Sequence, residues 1–161
     1  MAKTTPASIS NELGLEHPIE DIRHEAVLNV IRTANVLSLK GAVLFRRYGL
    51  TEAQFNVLFA LKYKEGDLTQ SDLGKRLVVT RASITSVLDK LEQKKLVHRA
   101  SVPGNRRIYH VELTSRGRSL VERVEDVYRG KIHQALAAFS HAQCRLLIAG
   151  LERLREGAAR L

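Results

Sequence analysis

The sequence predicts a mainly α-helical protein with one two-stranded β-hairpin set into it, and three observations predict it. Apolar residues recur at helical spacing through most of the chain. Capping residues mark helix starts at Thr51, Thr69, Thr80, Thr114 and Ser140. Residues 97–113 alone switch to β-branched composition on either side of a Pro-Gly turn signal.

Residues 1–17 lack periodicity and are expected to form a flexible N-terminal arm. From Ile19 to about Tyr48, the positions Ile22, Val27, Ile31, Ala34, Leu37, Leu44 and Phe45 keep helical spacing, and Leu28, Val36, Leu39 and Val43 draw a second stripe. A helix that is apolar on two sides packs on two sides. In a chain this small, one side is expected to meet the core and the other a second copy, so residues 18–48 read as an N-terminal dimerisation helix.

Thr51 and Gln54 form a capping box ahead of Phe55, Leu58 and Phe59, the expected buried face of a helix that should stop by Gly66. Leu68, Thr69, Asp72 and Leu73 then read as staple residue, N-cap, acidic third position and staple partner of a short helix. Val79 and Thr80 repeat the pattern, with Val79 stapling to Ile84 and a buried face continuing through Val87, Leu88 and Leu91. Val97 to Val102 and Ile108 to Leu113 are the expected strands, joined by the basic tip Pro103-Gly104-Asn105-Arg106-Arg107. Thr114 caps a long helix with Leu120, Val121, Val124, Tyr128, Ile132, Leu136 and Phe139 on its apolar face. Ser140 and Gln143 open a last helix carrying Cys144, Leu147, Ile148, Leu151 and Leu154. Residues 50–116 thus contain two short helices on a tight turn followed by a basic hairpin, the order of a winged helix-turn-helix. Residues 117–161 are expected to supply C-terminal dimerisation helices.

Charge points the same way. Lys and Arg number 26 against 17 Asp and Glu, for a formal net charge of +9. Such a balance fits a polyanion partner or a solvated basic surface, and its distribution helps to choose. Ten of the cations (Lys75, Arg76, Arg81, Lys90, Lys94, Lys95, Arg99, Arg106, Arg107 and Arg116) fall between residues 68 and 116, against four carboxylates (Asp72, Asp89, Glu92 and Glu112). Clustering of this kind is expected of a phosphate-facing footprint.

The helix from Thr80 carries the sharpest functional pattern. With Ile84, Val87, Leu88 and Leu91 buried, 100° per residue turns Ala82, Thr85, Ser86, Asp89 and Gln93 to the far side. Small and polar side chains there let a helix enter a major groove about 12 Å wide and offer hydroxyls and a methyl to base edges. The candidate DNA-binding residues are therefore Arg81, Ala82, Ser83, Thr85, Ser86, Lys90 and Gln93 on this helix and Arg106 and Arg107 on the wing. Arg81 is suited to a guanine, and Lys90, Lys94 and Lys95 to phosphates.

Chemical alternatives find less support. One cysteine forms no internal disulfide, and Met1 to Pro18 shows no positive cluster followed by an apolar core. No apolar run approaches the roughly 18 residues of a membrane span, so a cytoplasmic, nucleoid-associated protein with no membrane partner is expected. The six histidines include no pair at i, i+4, although His98 and His110 are placed to face each other across the hairpin. No catalytic constellation, metal site or cofactor site is expected. Two other classes stay open at this level: an architectural protein that coats DNA without reading it, and a small-molecule enzyme for which no residue nominates a substrate.

In Leu50-Thr51-Glu52-Ala53-Gln54-Phe55, Leu68-Thr69-Gln70-Ser71-Asp72-Leu73-Gly74, the helix Thr80 to Leu91, and Asn105-Arg106-Arg107 followed by Val111-Glu112-Leu113-Thr114 and Gly117, the chain resembles the multiple antibiotic resistance regulator (MarR) family. The resemblance implies a six-helix subunit with a two-stranded wing and a homodimer built by the first and last helices. It also implies repression or activation at pseudo-palindromic operators of double-stranded DNA. By the same likeness Arg107 takes the place of the wing arginine that enters the minor groove, and a small-molecule effector, often an aromatic acid, binds between the dimer helices and the DNA-binding lobe. The family wing usually carries Asp two residues before that arginine, where this chain has Asn105, which forms no salt bridge to orient Arg107. Some similar regulators sense peroxides with a lone cysteine in the first helix. Cys144 lies instead in the last helix, on an apolar stripe, where a small hydrophobe is expected.

Overall fold

Side-chain caps set where the helices begin. In the structure, a computed structural model, residues 8–77, 80–102 and 105–161 are described, without the side chains of residues 81, 102 and 105–108. Seven helices fall among the described residues, each opened by a side-chain acceptor. Ser8 caps α1 (Ile9–Glu12), Asp21 caps α2 (Ile22–Arg46), Thr51 caps α3 (Glu52–Lys62) and Thr69 caps α4 (Gln70–Arg76). Thr80, Thr114 and Ser140 do the same for α5 (Arg81–Gln93), α6 (Ser115–Ala135) and α7 (His141–Ala158). Reciprocal capping boxes close at Thr51 with Gln54, Thr69 with Asp72 and Ser140 with Gln143. The staple residue Val79 lies outside the described residues.

Two boundaries move. Helix α2 starts at Ile22, three residues after the expected start of the periodic stretch at Ile19, because the Asp21 carboxylate accepts the Arg23 amide at 2.8 Å and so fixes the first turn. Within the expected arm, Ile9–Glu12 form one helical turn that rests on α2: Ile9 is buried, and Glu12 accepts from Arg32 Nε at 3.2 Å. The resemblance implied six helices, and α1 is the addition.

The hairpin pairs β1 (Val97–Val102) with β2 (Asn105–Leu113) in antiparallel register, Val97 opposite Leu113 and His98 opposite Glu112. Strand β2 begins at Asn105, not Ile108, but the ladder is irregular there: Ser101 faces Tyr109 while Val102 faces Asn105, so the register shifts between Ser101 and Val102 and residues 106–108 stand between the two paired positions. Only Pro103-Gly104, outside the described residues, separate the strands. This register corrects the expected facing of the two histidines: His98 Nε2 lies 3.1 Å from Glu112, and His110 sits opposite Ala100, 3.9 Å from Asp67. The wing is anchored at its base, where the Val111 amide donates to Leu68 O at 2.9 Å just before α4.

One core ties these elements together. Leu58, Leu73, Leu88, Leu91, Val111, Val121 and Val124 are completely buried, and Phe45 of α2 stacks on Phe55 of α3 with centroids 4.3 Å apart. Phe59, expected on the buried face of α3, is 39 % exposed because it sits at the edge of this ring cluster, against Phe55 and Tyr63.

Outside the core, α2 and α7 leave apolar surface uncovered. Ile31, Leu37 and Leu39 of α2 and Leu146, Leu147 and Ile148 of α7 are exposed, and no α7 residue is buried. Cys144 is half-buried on this helix. Contrary to expectation, α2 is by length and composition apolar enough to cross a membrane, since its two stripes leave few charges even though no apolar run is unbroken.

Candidate nucleic-acid interface

Helices α4 and α5 form the compact pair that the sequence pattern predicts, and α5 is strongly two-sided. Ile84, Leu88 and Leu91 are buried, while Ala82, Ser86, Asp89 and Gln93, at spacings of four, three and four, form an exposed stripe with Lys90 beside it. The stripe begins with two small exposed residues, Ala82 and Ser86.

Two residues expected on this reading face have a structural share. Thr85 is half-buried, and its Oγ1 accepts from Gln70 Nε2 of α4 at 2.5 Å. The far-side placement of Thr85 is therefore corrected: 100° steps put it on the flank of α5, where α4 leans against it. Ser83 is exposed, but its Oγ lies 2.9 Å from Thr80 Oγ1 within the N-cap, and it borders the cleft between α3 and α5. The side chain of Arg81 lies outside the described residues.

The cations around the pair divide into two groups. Lys94, expected on phosphate, is exposed but donates to Gly49 O at 2.6 Å and to Gln54 Oε1 at 3.0 Å, fastening the end of α5 to the α2–α3 junction. Arg99 is held by Asp89 and Glu92, each at 2.6 Å, so β1 is braced against α5. Lys75, Arg76, Lys90 and Lys95 remain on the exposed surface. The Asp72 carboxyl is held below its ordinary range by the hydrogen bonds from Thr69, with Lys75 and Arg76 adding to the effect.

Arg106 and Arg107 belong to strand β2, not to a loop tip; their side chains, with that of Asn105, lie outside the described residues. Sequence reading missed the polar contact between α3 and α6. Lys62 Nζ donates to Glu125 Oε2 at 2.6 Å, and the Tyr63 hydroxyl donates to Oε1 of the same carboxylate. Burial alone would raise the Glu125 carboxyl, but the hydrogen bonds from Lys62 and Tyr63 and the nearby charges outweigh it and hold the group below its usual range. A signal was available, for Glu125 interrupts the apolar series Val121, Val124, Tyr128.

A buried-on-one-side, small-and-polar-on-the-other helix at the end of a helix-turn-helix, followed by a basic wing, defines a winged helix-turn-helix DNA-binding protein of the transcriptional regulator class. Comparison with known proteins gives the family. The MarR family model matches residues 48–108. Over 108 residues the chain is 30 % identical to the HTH-type transcriptional regulator MhqR of Bacillus subtilis, covering 67 % of this chain and 74 % of that protein. The fold matches the crystal structure of a MarR/EmrR family transcriptional regulator from Acinetobacter sp. ADP1 with a TM-score of 0.78 at 23 % identity, over 88 % of this chain and 99 % of that one. It also matches the Mycobacterium tuberculosis transcriptional regulator MOSR in complex with DNA, with a TM-score of 0.66 at 28 % identity, over 84 % and 98 % of the two chains. The chain belongs to the MarR family of transcriptional regulators.

Proposed function

We propose that the protein is a homodimeric, sequence-specific repressor that reads a pseudo-palindromic operator by placing α5 of each subunit in the major groove. The observation that carries this reading is the exposed stripe Ala82, Ser86, Gln93 on a helix whose opposite face is buried. Ala82, Ser83, Ser86 and Gln93 contact base edges, Arg81 reaches a guanine, Lys90 neutralises phosphate, and Arg106 and Arg107 of β2 bring the wing to the flanking minor groove. Thr85 acts chiefly through Gln70, holding α4 at the angle α5 needs.

The second subunit covers the exposed stripes of α2 and α7, whose side chains would otherwise leave an apolar patch unusual for a monomer. Light scattering should return a dimer; a monomer of 18.0 kDa at micromolar concentration removes that part of the reading. The regulator works in the cytoplasm and is released by a small aromatic or anionic ligand. A cleft of about 260 Å³ between α3 and α5, lined by Ala53, Val57, Leu77, Ile84 and Val87, supports a site behind the reading helix itself. Glu52 also borders that cleft, which favours an uncharged aromatic ring there over an anion.

The decisive experiment is selection of random duplexes by the purified protein, followed by titration of the selected and scrambled sequences. The operator reading requires a preference of about a thousandfold or more at matched salt. Equal affinity for both duplexes would replace it with DNA coating.

A further inference from the structure

The Lys62–Glu125 pair stands where α6 parts from the DNA-binding lobe. On its N-terminal side Val121 and Val124 are completely buried in the lobe core; beyond it no α6 residue is buried, and Tyr128 makes the last ring contacts with Phe45 and Phe55. Lys62 and Tyr63 close α3, so the end of one lobe helix grips the departing helix at a single carboxylate.

Stability alone does not explain a charged pair there. The side chains of Lys62 and Glu125 keep only 20 % and 12 % exposure, and desolvating two charges offsets much of their attraction, so an apolar pair of similar volume would often hold the helices as well. What apolar residues would not supply is direction. An ammonium on one carboxylate oxygen and a phenol on the other fix the plane of the carboxylate and, through it, the rotation and tilt of α6 against α3.

We propose that Lys62, Tyr63 and Glu125 form a clamp that sets the angle between the DNA-binding lobe and α6, and through it the separation of the two reading helices in the dimer. This rests on the dimeric operator reading above. The lever is long enough to matter: from Glu125 to the end of α6 at Ala135 is about 15 Å at 1.5 Å per residue. A tilt of roughly 10° at the clamp moves the far end by nearly 3 Å, comparable with the roughly 3.4 Å rise of one base pair. Releasing the clamp therefore blurs half-site spacing without touching the residues that read bases.

The test uses the selected operator, versions with its half-sites one base pair closer or farther, and a duplex carrying one half-site. Wild type, Glu125→Gln and the double variant Lys62→Met with Glu125→Leu are titrated against each. The double variant keeps the question answerable should Glu125→Gln leave Lys62 buried, unpaired and the protein unfolded. The clamp predicts unchanged affinity for the single half-site and a preference for the native spacing that falls by about 2- to 30-fold, the range of energetic coupling carried between sites through a packed element. A folded, dimeric double variant that keeps the wild-type spacing preference overturns the clamp. Wild-type protein with no spacing preference overturns the operator reading, and the clamp with it.

Discussion

Replacing Gly117 with alanine should be among the most damaging single-methyl changes available in this chain. Gly117 lies buried in the first turn of α6, and a β-carbon there would stand 1.9 Å from Leu96 O and 2.9 Å from its carbonyl carbon. A tolerable carbon–oxygen contact is about 3.3 Å, so α6 or the α5–β1 junction would shift by roughly 1.4 Å. Neither can shift alone. Leu96 O accepts from the Thr114 amide at 3.1 Å, while Thr114 Oγ1 accepts from the Gly117 amide at 3.0 Å and donates to Lys95 O at 2.8 Å. Overpacking costs about 1–3 kcal/mol. Weakening two or three of these bonds adds about 1 kcal/mol each, and the gain in helix propensity returns about 1 kcal/mol. The expected loss is thus about 3 kcal/mol, a large part of a typical stability of about 5–15 kcal/mol. In urea, with a slope of roughly 1–3 kcal/mol per molar, the midpoint should fall by about 1 M or more at matched protein concentration. Gly130→Ala in the same helix, where a β-carbon meets open space, should be neutral or slightly stabilising. A Gly117→Ala protein as stable as wild type, or a Gly130→Ala protein equally weakened, would refute the reasoning.

Three further outcomes are expected. Ser86→Ala should lower affinity for the selected operator by about 1–2 kcal/mol and leave scrambled DNA unaffected, whereas Lys90→Ala should weaken both duplexes alike and reduce the salt slope by about one unit; titration at several salt concentrations separates them. Arg107→Ala should weaken operator binding by about 1–3 kcal/mol with the melting temperature nearly unchanged, and unaltered binding would remove the wing from the mechanism. Glu125, held below the ordinary carboxyl range when folded, contributes stability that is present above that range and lost as pH falls through the folded value. Urea midpoints from pH 7 to pH 3 should therefore decline less steeply for Glu125→Gln than for wild type.

What was legible in the sequence was whatever local chemistry decides. Thr51, Thr69, Thr80, Thr114 and Ser140 each cap the helix they announce, because a side-chain oxygen satisfying an amide two or three residues on needs no distant partner. Most of the buried face of α5 was legible for the same reason, since one period fixes Ile84, Leu88 and Leu91; Val87, expected with them, is half-buried and lines the cleft between α3 and α5. Cross-strand pairing was legible only in part: strands 97–102 and 108–113 already set His98 opposite Glu112 and not His110, whereas side-chain pattern is blind to the shift between Ser101 and Val102 that pairs Val102 with Asn105. Thr85 shows the limit within a helix. A helical wheel gives an angle, but which angles count as outside depends on how closely the neighbouring helix packs, and Gln70 reaches far enough to claim that flank.

The same distinction governs charge. A count of cations between residues 68 and 116 treats each as a phosphate contact, yet Lys94 already donates to Gly49 O and Gln54, and Arg99 is already matched by Asp89 and Glu92. Those two residues instead brace the C-terminal end of α5, one against the α2–α3 junction and the other against the wing. An end so fixed leaves the N-terminal turns, with Ala82 and Ser86, as the part presented to a groove, while Lys90 stands one turn further along with its charge exposed. Net positive charge draws the protein to any duplex over long range. The internal use of Lys94 and Arg99 turns part of that charge into rigidity, which base reading requires and coating does not.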